Sequence, residues 1–264
     1  LEYKGHSYFG QWFDKYTPTS HDAIMGPVED FAPVGYDEAK VGEGFLKIGI
    51  GIVSKPKEPK YFFVNPYPII NPGIWKVKKK TNQVEFVQKL DDKEYSYQYK
   101  KTVQLVKGKP EMVLLHTLKN TGKRTIETEV YDHNFFVLDK QLVGIGYIVK
   151  FPYQVTGEAR GSGEFGKIQD KEIIFTKDLA KNDHLQYLAL RGFSTSAKDY
   201  DFSVENHNTG AAVRVTSDQP VSRFAFWSAH VTICPEPYIN IKVNPGEEIS
   251  WKIFYDFYAG EKNN

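Results

Sequence analysis

The chain predicts an all-β fold built from large antiparallel sheets. Three observations lead there. Apolar and polar residues alternate over most of the 264 residues. Gly, Asn and Pro turns recur at short, even intervals. No segment sustains a 3.6-residue period with caps at both ends.

The elements follow in order. Leu1-Glu2-Tyr3 already reads as strand. The stretch Lys55–Lys60, with Pro66, Pro68 and Pro72 beyond it, has the prolines of a linker. Tyr61-Phe62-Phe63-Val64 and Ile69-Ile70 are too apolar for one, so an ordered loop and edge-strand region is expected. Lys76–Lys80 reads as a solvated edge or turn. Tyr95, Tyr97 and Tyr99 alternate onto one face and lead into Val103–Val106. Lys107-Gly108-Lys109-Pro110 turns the chain, Glu111–Leu118 returns it, and Asn120-Thr121-Gly122-Lys123 turns it again. Thr125–Tyr131 then alternates once more. Further strands are expected at Ile173–Phe175, Leu185–Leu190, Tyr200–Val204, Ala212–Val215, Arg223–Trp227, Ile239–Val243 and Trp251–Phe257. A short helical turn is expected near Lys177–Asn182. So many evenly spaced strands indicate a sandwich or barrel. No internal repeat or clean boundary divides the chain, so a single domain over 1–264 is expected.

Composition excludes several classes. With 34 basic and 33 acidic residues the net charge is +1, which supports neither nucleic acid nor an anionic membrane as main partner. At 41% hydrophobic and 15% aromatic, the chain can bury a core. The single cysteine, Cys234, rules out an intramolecular disulfide and thiolate clusters. No run of eighteen apolar residues exists, so no membrane span is expected. A soluble protein, cytoplasmic or periplasmic, is expected. The start at Leu1 rather than Met is compatible with a removed leader.

Glu236 is the most conspicuous candidate for chemistry. It stands between Pro235 and Pro237, followed by Tyr238, on what reads as a stiff corner between two strands. His133 is its natural partner among seven histidines. It ends the Thr125 strand within Tyr131-Asp132-His133-Asn134-Phe135-Phe136. Read alone, Glu236 is equally a solvated loop acid and His133 a core or turn histidine. His21 and Glu29 fall on a loop around Gly26-Pro27 that could line a site. His116 reads as a packed mid-strand residue. No HxH, HExxH or EF-hand pattern occurs, so neither a metal nor a cofactor is expected. Gly161-Ser162-Gly163 is no nucleophile elbow, and Gly42, Gly44, Gly49 and Gly51 form no phosphate loop.

Glu129–Phe136, Cys234-Pro235-Glu236-Pro237 and Val243-Asn244-Pro245-Gly246-Glu247, taken in this order, resemble the aldose 1-epimerase (galactose mutarotase-like) family. Leu1–Phe13 resembles its early Tyr-x-Gly strand and Gly26–Phe31 the loop after it, with the family's first strand missing. The resemblance implies a β supersandwich, a small-molecule sugar as partner and no cofactor. It implies acid-base opening of a pyranose, with Glu236 as general base and His133 as general acid. Substrate contacts are expected from Glu29, Glu43, Lys47, Tyr131, Asn134 and Trp227, with stacking aromatics drawn from Trp12, Tyr67, Trp75, Tyr131 and Trp227. Glu43 stands where the family usually has a second histidine, and no match to the family's sugar-binding Arg and Asp is evident. A non-catalytic carbohydrate-binding domain is the alternative. A glycosidase or lyase would need Glu29 or Glu43 as second carboxylate.

Overall fold

The computed structural model describes residues 1–11, 25–63, 65–160 and 163–260. His21 and Trp12 lie outside them. Two antiparallel sheets face each other. The larger has ten strands, in the order Gly166–Gln169, Glu172–Phe175, Tyr147–Lys150, Asp201–Asn206, Ala211–Ser217, Glu248–Ala259, Glu111–Asn120, Tyr97–Leu105, Gln83–Leu90 and Ile74–Lys80. The smaller has six: Ala159–Arg160, His184–Leu190, Arg223–Ala229, Thr232–Val243, Ile126–His133 and Val28–Phe31. A three-stranded sheet of Gly44–Lys47, Gly51–Ser54 and Ile69–Asn71 and a two-stranded hairpin of Glu2–Tyr3 and His6–Ser7 complete the fold.

Alternation decides which side chains go between the sheets. From the larger sheet come Tyr97, Tyr99, Leu114, Leu118, Val213, Trp251 and Tyr255. From the smaller come Ile126, Val130, Phe224, Phe226, Ile239, Ile241 and Val243. The tyrosine face expected from 95, 97 and 99 is buried as a unit. Lys76–Lys80 lies on the outermost strand of the ten-stranded sheet, exposed throughout. Lys177–Asn182 carries turns and no helix, which corrects the helical turn expected there. Among the described residues the helical pieces are three short 3-10 turns, and no helix is long and apolar enough to cross a membrane.

A polar cluster interrupts this core. Lys101 Nζ lies 2.7 Å from Glu29 Oε2, and His116 Nε2 lies 3.5 Å from Glu29 Oε1. His116 is packed as expected, stacked on Trp251 with 4.7 Å between ring centres. Asp132 is buried beside them and hydrogen-bonds the Tyr255 hydroxyl. The same hydroxyl lies 2.8 Å from Asn134 Oδ1. Burial and the charge of Glu29 push the Asp132 carboxyl up to about 7, against the Tyr255 bond and Lys101. Protonated, Asp132 donates to the Tyr255 oxygen and leaves the Tyr255 proton for Asn134.

Candidate active site

The site lies on the outer face of the six-stranded sheet. On the Ile126–His133 strand, Ile126, Thr128, Val130 and Asp132 turn inward, so Glu127, Glu129, Tyr131 and His133 share the outer face. On Thr232–Val243 the inward positions are Ile233, Ile239, Ile241 and Val243, which leaves Glu236 and Tyr238 outward. On the neighbouring strand Phe224 and Phe226 turn inward, leaving Arg223, Ala225 and Trp227 outward.

Glu236 is therefore on no corner. It sits within a twelve-residue strand, opposite Ala225. Proline is normally excluded from a strand paired on both sides, because it lacks a ladder N–H. The ladder to Ile126–His133 runs only as far as Tyr131 opposite Tyr238. It resumes beyond a gap, where Ile233 and Phe136 exchange backbone bonds of 3.1 Å in both directions. Since Ile233 faces that seam, Pro235 and Pro237 face it too by alternation, at the place where no donor is required. Asn134 fills the gap, its Nδ2 donating to Pro235 O at 3.1 Å and to Asp132 O at 3.3 Å.

His133 and Glu236 come together across this seam, with Nε2 and Oε1 3.4 Å apart and side chains 18% and 12% exposed. The imidazole stacks on Phe135 at 3.7 Å, and Trp227 stands edge-on to it at 6.0 Å. Phe135 reaches that position through a left-handed backbone (φ 47°), strained for an aromatic residue. Tyr131 stacks on Tyr238 at 4.5 Å. Asp30, opposite Tyr131 in the ladder, is paired with Lys47, which also donates to Phe31 O. The Arg223 guanidinium lies 3.5 Å from the centre of the Tyr238 ring.

Burial sets the protonation. It pushes the Glu236 carboxyl up to about 8, with Arg223 opposing and Asp30 reinforcing. It pulls the His133 imidazole down to about 3. The buried Nδ1 of His133 has no hydrogen-bond partner among the described residues, so no neighbour there supports an imidazolium. Burial, Asp30 and Glu236 all hold the Tyr131 hydroxyl well above the usual phenol range.

These directions predict how stability follows pH. Glu236 and Asp132, raised to about 8 and about 7, keep protons in the folded state that the unfolded chain has released. His133 and His116, lowered to about 3 and about 4, lack protons that the unfolded chain holds below 6.5. From about pH 4.5 to 6.5 the two pairs cancel and stability is flat. Above about 6.5 only the two carboxyls of this set count, and stability falls towards pH 8; below about 4.5 the histidines count, joined by Asp139, Asp199 and Glu205, whose carboxyls hydrogen bonds hold low, and stability falls on acidification. Thermal unfolding across pH 3–9 measures this, and a single sharp optimum would contradict it.

The other expected contacts separate by face. Tyr131, Trp227 and, through Asp30, Lys47 belong to the outer face. Glu29 does not: opposite Asp132 in the ladder, it points between the sheets. Asn134 is fully buried and ties the two strands together, so it frames the site from behind. Glu43 is exposed on a turn, its Oε2 accepting from its own Lys40 N–H at 2.8 Å. Tyr67 packs on Tyr61 in a small aromatic cluster, and Trp75 lies on the exposed outer strand. Sequence reasoning missed Asp30 and Arg223. The alternation Arg223, Ala225, Trp227 already put the arginine on the tryptophan's face. Among the described residues no group of three His, Cys, Asp or Glu is placed to hold a metal.

The two facing sheets have the galactose mutarotase-like fold. A galactose mutarotase related enzyme from Lactobacillus acidophilus superposes with a TM-score of 0.52 at 16% identity, covering 73% of each chain. A galactose mutarotase-like protein from Clostridium acetobutylicum gives 0.53 at 13%, covering 88% of this chain and 79% of that one. An aldose epimerase homologue from C. elegans gives 0.50 at 12%, covering 70% and 68%. No family model and no curated protein matches the sequence.

Proposed function

We propose that the chain interconverts the anomers of an aldose, using His133 and Glu236 to open and reclose the ring. The 3.4 Å contact between Nε2 and Oε1 carries the reading. Ring opening takes a proton from the anomeric hydroxyl and delivers one to the ring oxygen. Both oxygens are bonded to the same carbon, so a close pair of groups can reach them together. At neutral pH the pair holds one proton for the exchange, and burial leaves it on Glu236.

In that state neutral His133 accepts the anomeric proton while the Glu236 carboxyl donates to the ring oxygen. Rotation about the bond between C1 and C2 and the reverse transfers then close the ring on its other face. The resemblance implies the opposite order, Glu236 as base and His133 as acid, which has the same total protonation. A pH profile cannot tell the two apart, but it does report the pair. kcat/KM is expected to stay flat through pH 7 and to fall above about 8 as the pair loses its proton. Ordinary values of 4.5 and 6.5 for the two groups would confine activity to a narrower, more acidic range.

Asp30, Arg223 and Lys47 supply charged contacts for ring hydroxyls, and Trp227 and Tyr238 supply aromatic surface for a sugar face. Polarimetry on freshly dissolved α-anomers of glucose, galactose and other aldoses tests the reading. Accelerated mutarotation of at least one sugar is expected. A lack of acceleration across the panel, with sugar binding intact, would assign the domain to binding without turnover.

A further inference from the structure

The face that carries His133 and Glu236 extends well beyond them. At the far end of the Ile126–His133 strand, where Glu127 on this face forms part of the wall, lies a cleft of about 740 Å³ lined by Asp37, Glu38, Lys60, Tyr61, Tyr95 and Arg124 among others. That volume is in the range of small-molecule sites, about 300–1,000 Å³. Its wall combines tyrosines with exposed carboxylates and cations. Arg124 lies over the Tyr95 ring at 5.1 Å and, among the described residues, forms no ion pair. Vicinal hydroxyls suit such a lining, since carboxylates and guanidinium groups bond them in pairs and tyrosine rings cover their apolar faces.

Two elements lead from the cleft towards the acid-base pair. Glu127 lines the cleft and shares the outer face of its strand with Tyr131 and His133. Tyr61 also lines it, and Lys47 Nζ sits 5.1 Å from the centre of that ring while paired to Asp30. From Glu127 to His133 is six residues of strand, about 20 Å. One hexose at His133 does not reach the cleft; a chain of sugars lying along the face does.

We propose that the substrate is the reducing end of an oligosaccharide whose following residues run along this face into the cleft. This rests on the acid-base reading of His133 and Glu236. The probes are maltohexaose, cellohexaose and chitohexaose, long enough to reach the cleft from His133, together with their borohydride-reduced alditols, which have no anomeric centre. By calorimetry at least one alditol is expected to bind wild type. Arg124→Gln and Asp37→Asn should each weaken it about tenfold, and Glu236→Gln by less than about twofold. By polarimetry the matching six-sugar chain should show a KM about tenfold below that of its monosaccharide, a gap the two cleft variants close without changing kcat or monosaccharide turnover. Unchanged thermal midpoints verify that the variants fold.

No alditol binding, or binding indifferent to the cleft variants, overturns the proposal, and accelerated hexose mutarotation then leaves the acid-base reading standing. Alditol binding without acceleration of any sugar defeats the acid-base reading and, with it, the assignment of the bound chain as substrate.

Discussion

If Glu236 moves the proton as proposed, replacing it with glutamine is expected to lower the mutarotation rate by about 10²- to 10⁴-fold, the range for loss of a positioned acid or base. Glutamine keeps the shape and fits the same place opposite Ala225. It cannot exchange a proton with His133 or with a sugar oxygen. The substitution also removes a carboxyl that burial holds at about 8, so the thermal midpoint at pH 8–9 should rise as the rate falls. Opposite signs in the two readouts separate lost chemistry from lost structure. Wild-type rates in the variant would remove Glu236 from the reaction.

Substituting Gly26 with alanine produces the second large effect, through backbone alone. A Cβ at Gly26 would lie 2.1 Å from Asn134 O and 2.7 Å from His133 O. Neither is the end of a flexible side chain, so main chain has to move. The nearby ladder pairs Val28 with His133, and the displacement falls on the residue that faces Glu236. Overpacking of this kind costs about 1–3 kcal/mol, and the rigid backbone on both sides puts this site at the upper end. A misplacement of about 1 Å at a reacting group costs about 10²-fold in rate. Chemical denaturation and polarimetry on the same preparation measure both, and an unchanged midpoint with unchanged rate would mean that this junction gives way freely.

Much of the fold was legible because alternation is a local property. The tyrosines at 95, 97 and 99, the return strand from Glu111 and the lysine-rich edge each declare themselves within a few residues. What escaped depends on partners distant in sequence. Pro235 and Pro237 argue for a loop until the gap in the neighbouring ladder removes the need for their N–H groups. Val28–Phe31 is a four-residue strand, too short for its pattern to choose a face. Pairing Asp30 with Tyr131 sends Asp30 to the site and Glu29 into the core. Asn134, drawn into the expected contacts by its place beside His133, serves the seam instead. The proton on Glu236 was illegible as well, since burial from several strands at once raises it.

The outermost strand of the ten-stranded sheet, Ile74–Lys80, has a consequence for how separate copies of the chain meet. Among the described residues no strand pairs with its outer edge, and such an edge is a template on which another strand can add. Ile74, Trp75 and Val77 are all exposed there and would favour such an addition. Lys76, Lys78, Lys79 and Lys80 oppose it, because two such edges bring like charges face to face. The restraint is electrostatic and therefore conditional. High salt or acylation of those amines would turn a guarded margin into an adhesive one, and growth of light scattering with ionic strength would reveal how thin that protection is.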